Sequence, residues 1–259
     1  MGILNVTPDS FSDGGLFFDH EMAVRRGLEL EDEGADIIDV GGESTRPGSI
    51  PVSSEEEIKR VISVVEALSA RLKIPLSVDT YKAEVARLAI EAGASIINDV
   101  SALRFDADMV NIIKKYKVPV VLMHMMGKPK DMQVNPIYDD VVKDVYNFLK
   151  ERIEYAERSG ISHDDIIIDP GIGFGKRLNH NLLLIKHLEV FKELRCPLLL
   201  GPSRKSFIGE VLDRPVNERL EGTAAVVAAA IMKGANIIRV HDVKEMRMVV
   251  RMVDAIQRV

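Results

Sequence analysis

Ile166-Ile167-Ile168-Asp169-Pro170-Gly171-Ile172-Gly173-Phe174-Gly175-Lys176 sets a carboxylate directly behind a run of three β-branched residues. Such a run reads as a strand buried on both faces. Asp169 closes it, and a proline and three glycines then let the backbone approach closely whatever lies beyond. A carboxylate at the mouth of an apolar strand costs several kcal/mol unless a partner satisfies it. Taken singly, such an aspartate is as often a turn cap as a functional group. Repetition decides: nearly every strand-like run in this chain ends on a polar residue at the same point.

Outward from that stretch, strand-like and helix-like segments alternate. Strands are expected at 1–6, 37–41, 76–78, 95–100, 118–123, 166–168, 197–200 and 237–240. Helical spacing fills 20–33, 54–72, 81–91, 108–115, 141–158, 181–194, 218–232 and 244–258. Gly34-Ala35-Asp36-Ile37-Ile38, Gly93-Ala94-Ser95-Ile96-Ile97 and Gly234-Ala235-Asn236-Ile237-Ile238 are one repeated motif: a helix-ending glycine, a short turn and a buried strand. They precede strands two, four and eight, whereas Pro75, Pro119 and Pro197 introduce strands three, five and seven. An even–odd alternation of eight βα units is what a closed barrel with alternate-strand core layers produces. The rival, an open doubly wound sheet, calls for GxGxxG after the first strand, where Asn5-Val6-Thr7-Pro8-Asp9 stands instead. The expectation is a (β/α)8 TIM barrel, one domain over residues 1–259.

The bulk properties narrow the partners. The chain has 259 residues, 46% of them hydrophobic, and a net charge of −6, which argues against nucleic acid or an anionic membrane. Any cation used on an anionic substrate must therefore act locally. The single cysteine, Cys196, excludes an internal disulfide and a multi-cysteine metal site. The longest apolar run, Ala224 to Met232, is too short to cross a bilayer. No basic segment leads into a hydrophobic one at the start, so a cytoplasmic protein is expected.

In a barrel of this kind chemistry sits at the C-terminal ends of the strands. Those ends and the loops just after them offer Asn5, Asp39, Asp79, Asn98, His124, Asp169, Lys205, Arg239 and His241. Asn98 and Asp99 are adjacent, so only one of them faces inward. Asp39 reads as a supporting carboxylate rather than one in direct contact, and His124 is as readily an ordinary loop histidine. Arg239 and His241 alternate, so they share one side of strand eight and, with Asn5 on strand one, form a candidate anion and metal-ion pocket. The histidines show no paired-ligand spacing for zinc, and a hydrated Mg2+ shared between Asn5 and substrate phosphates suits the set better. GIGFGK lacks the GxxxxGK[ST] spacing of a phosphate loop, so nucleoside triphosphate binding is not expected there.

Asn5 to Gly15 (NVTPDSFSDGG), Gly41 to Gly48 (GGESTRPG), Ser77-Val78-Asp79-Thr80, Asp169 to Lys176, Ser203 to Phe207 and Arg239-Val240-His241-Asp242 together resemble the dihydropteroate synthase family, in order and over nearly the whole chain. The match begins on the first strand, ahead of which members of that family usually carry a segment that plugs the lower end of the barrel. The resemblance implies a TIM barrel, usually a homodimer, that joins 4-aminobenzoate to a dihydropterin diphosphate in folate synthesis and is the target of sulfonamides. It implies Asp79, Asp169 and Lys205 as catalytic groups. Asp79, Asn98, Asp169 and Lys205 would bind the pterin edge, with Met123, Phe174 and Arg239 on its faces. Asn5, Arg46, Arg239 and His241 would take the diphosphate, Asn5 with the Mg2+ cofactor. Phe11, Thr45, Pro47, Lys205 and Ser206 would form the aminobenzoate site. An SN1-like path is implied, with a pterin carbocation captured by the aniline nitrogen. Two rivals stand beside it: a methyltetrahydrofolate:corrinoid methyltransferase, which gives Arg46 and Ser203-Arg204-Lys205-Ser206 no purpose, and a catalytically silent pterin-binding homologue.

Overall fold

Alternate residues of each strand meet two different environments, and this organises the whole molecule. The computed structural model describes residues 1–7, 15–44 and 48–259, with only the backbone of 15–19 included. Among the described residues the strands are β1 (Gly2–Asn5), β2 (Ile38–Gly41), β3 (Leu76–Asp79), β4 (Ile96–Asp99), β5 (Val120–Met123), β6 (Ile166–Asp169), β7 (Leu199–Leu200) and β8 (Ile237–Ile238). The helices are α1 (Gly15–Asp32), α2 (Ser54–Ser69), α3 (Ala83–Glu91), α4 (Met109–Tyr116), α5 (Val141–Arg158), α6 (Leu178–Lys186), α7 (Ser206–Leu212), α8 (Leu220–Met232) and α9 (Val243–Gln257).

The strands β1 to β6 pair in sequence order, all parallel, and β7 pairs with β8 in the same sense. Single parallel bridges, Ile168 with Leu198 and Gly2 with Val240, join these two groups and close the ring. Across the closure Ile3 N–H donates to Val240 O at 3.0 Å and Val240 N–H to Met1 O at 3.0 Å. The closed (β/α)8 barrel expected from the repeat is what forms.

Outward-facing Leu4, Val40, Val78, Ile97, Leu122, Ile168, Leu200 and Ile238 join the apolar faces of the helices in one continuous core. Inward-facing Met1, Ile37, Ile96, Val121, Ile167, Leu199 and Ile237 make a separate, smaller cluster that fills the lower barrel. Except on β3, both faces of the strands are therefore apolar at this level, which is why those strands read as unbroken hydrophobic runs.

The glycine motif works as its spacing predicts. Gly34, Gly93 and Gly234 hold φ of +96°, +111° and +102°. In each case the next amide reaches back five residues, as Ala35 N–H does to Leu30 O at 3.0 Å. Gly160, with φ +97°, ends α5 in the same way before β6, a fourth copy that its Ser-Gly-Ile sequence hides. Two expectations need correction. The helix expected at 181–194 is α6 followed by a 3-10 segment, Leu188–Leu194. The stretch after β7, read as a loop, contains α7, held by the buried side chains of Phe207 and Ile208.

Candidate active site

Two residues beyond the apolar layer, the same inward faces turn polar. Ile37 gives way to Asp39, Ile96 to Asn98, Ile167 to Asp169 and Ile237 to Arg239; Val121 is followed by Met123, and β3 adds Ser77 and Asp79. The period of two that seals the bottom of the barrel thus aims its functional groups at the top.

Arg239 is the hub of one side. Its Nε donates to Asp39 Oδ2 at 2.6 Å, and its Nη2 donates to Asp79 Oδ2 at 3.0 Å. Asn98 Nδ2 donates to the same Asp39 oxygen at 3.0 Å. Asp39 is wholly buried, so it supports Arg239 from behind, as its position on β2 implied. Two carboxylates share one guanidinium, leaving a net charge of −1 when both are ionised. Burial accordingly pushes the Asp79 carboxyl up to about 8, against the pull of Arg239 and helped by the Asp39 charge. The flanking carboxylates hold the Arg239 guanidinium firmly charged despite burial.

The other side is built around Asp169. Its Oδ1 accepts the Gly171 amide at 2.7 Å, and burial raises its pKa against the pull of Lys205. Lys205 Nζ donates to Ile172 O and stands 4.7 Å from the centre of the Phe174 ring. Burial brings the Lys205 ammonium down to about 8. Met123 and Phe174 meet in one apolar cluster with Met125 and Met132, giving the mouth a flat, polarisable wall. Three residues beyond β8, His241 Nδ1 lies 2.9 Å from Ser203 Oγ, and His241 N–H donates to that oxygen at 3.2 Å.

The structure thus gathers Asp79, Asn98, Met123, Asp169, Phe174, Lys205 and Arg239 at one mouth, with His241 on the same face of β8 as Arg239. Asn5 ends β1, with its Oδ1 and Asp79 Oδ2 both beside Gly41. Ser206 opens α7 and lines a polar cavity of about 520 Å³ with Lys176, Arg177 and Asn181. A cavity of about 280 Å³ opens at the opposite end of the barrel and includes none of these residues. Phe11, Thr45, Arg46 and Pro47 lie outside the described residues. His124 is set apart from the mouth: its ring packs edge-on to Phe148 of α5, 4.8 Å between centres. Asp99, the outward neighbour of Asn98, caps its own loop by accepting the Ser101 and Leu103 amides at 2.8 Å. Sequence reading missed Ser203 as the partner of His241 and Lys176 as a buried lysine, since the first depends on a contact between loops and the burial of the second on the loop after β5.

The family described as "Pterin binding enzyme" matches residues 1–241. This chain belongs to that family. A dihydropteroate synthase of Clostridium beijerinckii is 51% identical over 259 residues, covering 100% of this chain and 94% of the relative. Among solved structures, a Xanthomonas albilineans dihydropteroate synthase with 4-aminobenzoic acid superposes with a TM-score of 0.95 at 50% identity, covering 100% of this chain and 93% of that one. The Yersinia pestis dihydropteroate synthase with a sulfonamide drug complex gives a TM-score of 0.95 at 46% identity, covering 100% and 94%.

Proposed function

We infer that this protein is a dihydropteroate synthase: it condenses 4-aminobenzoate with 6-hydroxymethyl-7,8-dihydropterin diphosphate in folate synthesis. The observation that carries the reading is the convergence of Asp79, Asn98, Asp169, Lys205 and Arg239 on one mouth of a barrel that matches such enzymes along its full length.

A flat heterocycle bearing N–H donors and a carbonyl fits this ring. Asp79, Asn98 and Asp169 take its edge, Lys205 donates to it, and Met123 and Phe174 face its plane with the Arg239 guanidinium opposite. His241, Arg239 and Asn5 stand on the β8–β1 side, where a diphosphate would lie, and Arg46 belongs to the loop after β2. Ser206 and Lys205, with Phe11, Thr45 and Pro47, would hold the aminobenzoate.

The reaction breaks the bond between the pterin methylene carbon and the diphosphate oxygen, the electron pair leaving with the diphosphate. The aniline nitrogen then forms the new C–N bond and sheds a proton. A carboxylate about 4 Å from the developing cation contributes roughly 4 kcal/mol at an effective dielectric near 20, about a thousandfold in rate. With Asp79 ionised, the Asp39–Arg239–Asp79 set carries a net charge of −1 and supplies this, so the step runs on the fraction of enzyme that has released the Asp79 proton. Among the described residues no group of three His, Cys, Asp or Glu converges on a metal position. Asn5 offers an amide oxygen, which would suit a Mg2+ ion that arrives on the diphosphate with phosphate and water as its main ligands. Such an ion neutralises charge on the leaving group.

A homodimer is part of this reading. Met248, Met252 and Ile256 recur at every fourth residue along α9 and stand exposed with Met232, a stripe suited to a second copy of the chain. No helix of the described residues is long and apolar enough to cross a membrane, and we place the enzyme in the cytoplasm.

The test is diphosphate release on mixing the two substrates. The synthase requires 4-aminobenzoate for sustained product formation. Release or pterin turnover that ignores 4-aminobenzoate, or methyl transfer to a corrinoid, would overturn the reading. Calorimetry should show aminobenzoate binding well only after the diphosphate is present.

A further inference from the structure

Lys176 ends the GIGFGK stretch, yet its ammonium is not at the mouth. It is 3% exposed and turned back into the fold, where it donates to Gly171 O at 2.9 Å and Phe174 O at 3.0 Å. It also shares a hydrogen bond with His124 Nδ1 at 2.9 Å. Burial pulls its pKa well below the ordinary lysine value against the pull of Asp169, and four partners surround the nitrogen, His124 O at 3.5 Å being the fourth.

The segment that encloses it has an unusual backbone. Gly171, Gly173 and Gly175 hold φ of +68°, +84° and +62°, so every second residue is left-handed. A Cβ at Gly171 would lie 1.9 Å from His124 O, and one at Gly175 would lie 2.8 Å from Met126 O, so neither position tolerates a side chain. Five successive carbonyls end on side-chain donors. Lys176 takes residues 171 and 174, Lys205 takes 172, Gln133 Nε2 takes 173 at 2.6 Å, and Tyr138 Oη takes 175 at 2.8 Å. This is unlike a phosphate loop: carbonyls rather than amides point to the partners, and those partners are the chain's own side chains.

We propose that Lys176 is a positioning residue for the pterin side of the site: without touching substrate, it braces the Gly171–Phe174 turn, which the Phe174 amide closes on Gly171 O at 3.1 Å, and so holds both the Phe174 ring and the Ile172 carbonyl against Lys205. The proposal deepens the synthase reading and rests on it. Buried Asn181 also reaches this turn, its Oδ1 accepting the Gly173 amide at 2.7 Å, but Lys176 is bonded to the carbonyl of Phe174 itself. Losing it leaves Phe174 O and His124 Nδ1 without this partner and Gly171 O with only the Phe174 amide, at 3.1 Å.

The test is a double-mutant cycle in the full-length protein, read as KM for the pterin diphosphate and as kcat. Lys176→Met alone should raise that KM at least tenfold. In a Phe174→Leu background the same change should cost less than threefold, because the ring it positions is already gone. Equal, multiplicative effects in the two backgrounds overturn the proposal, as does a wild-type KM with only a lower melting temperature or a smaller active fraction. Should Lys176→Met not fold, His124→Phe removes one acceptor, while His124→Gln returns one. A raised KM in the first that recovers in the second supports the proposal, and equal KM values in both sink it. Absence of synthase turnover in the wild-type protein would instead defeat the functional reading.

Discussion

The two sides of the barrel mouth hold their charges in different ways. Around β2, β3 and β8, charge meets charge: Arg239 lies between Asp39 and Asp79 with no main-chain acceptor between them. Around β5, β6 and β7, cations end on main-chain carbonyls, Lys176 on those of residues 171 and 174 and Lys205 on that of 172. Paired side chains can trade partners when an anion or a cationic intermediate arrives, since each has rotamers to spare. Carbonyls of a glycine-locked turn cannot. One side is built to respond to substrate, and the other to hold a fixed shape against it.

The most severe test of that contrast is Arg239→Leu, which strands two buried carboxylates. It should cost about 3–5 kcal/mol of stability and abolish turnover. Denaturant titration checks the first part, and a loss under about 1 kcal/mol would mean that the three groups do not act as a unit.

Next in size is Asp79→Asn, which keeps the shape of the side chain but removes the charge it carries once its proton is released. Turnover should fall about a thousandfold while pterin affinity changes little. A variant that binds pterin normally and turns over at the wild-type rate would remove Asp79 from the chemistry.

The pH dependence of stability separates the charged side further. The Asp79 carboxyl is raised from 3.8 to about 8, so between those values the folded protein keeps a proton that the unfolded chain has released. Stability contributed by this group is complete below about pH 4 and is lost as pH rises toward 8, by at most about 1.4 kcal/mol per pH unit. Lys205, lowered from 10.5 to about 8, acts with the opposite sign in a higher window, so it does not mask the effect at pH 5 to 7. Thermal melts of wild type and Asp79→Asn across that range should diverge, and parallel curves would show that Asp79 is ionised throughout.

The smallest expected effect is that of Ser203→Ala. It removes the hydroxyl paired with His241 Nδ1 and should raise the KM for the pterin diphosphate by about threefold to tenfold, in line with one neutral hydrogen bond. An unchanged KM would make that contact incidental.

The outcome divides along physical lines. The three Gly-Ala repeats announced their helix ends correctly because a left-handed C-cap is a local demand that a glycine answers locally. The fourth, at Gly160, escaped because its neighbours share no other residue with the set. That Asp39, Asn98, Asp169 and Arg239 face inward followed from their even spacing behind buried isoleucines. His124 was offered with them, yet it follows inward-facing Met123 by one residue and so points to the helices. α7 was missed because it is seven residues long and owes its existence to the burial of Phe207 and Ile208.

The amino-acid order by itself determined the eightfold βα alternation, the apolar plug and the polar level above it, since each rests on a period of two or on a turn a few residues long. Only the tertiary structure decided which of those polar atoms meet. Arg239 and Asp39 are separated by 200 residues and pair because β8 closes back onto β1. Likewise Lys176 is an interior lysine rather than a rim cation because the loops after β5 and β6 fold onto each other and enclose it. Contacts of that range carry no trace in local spacing, because they are fixed by ring closure and by the packing of whole loops.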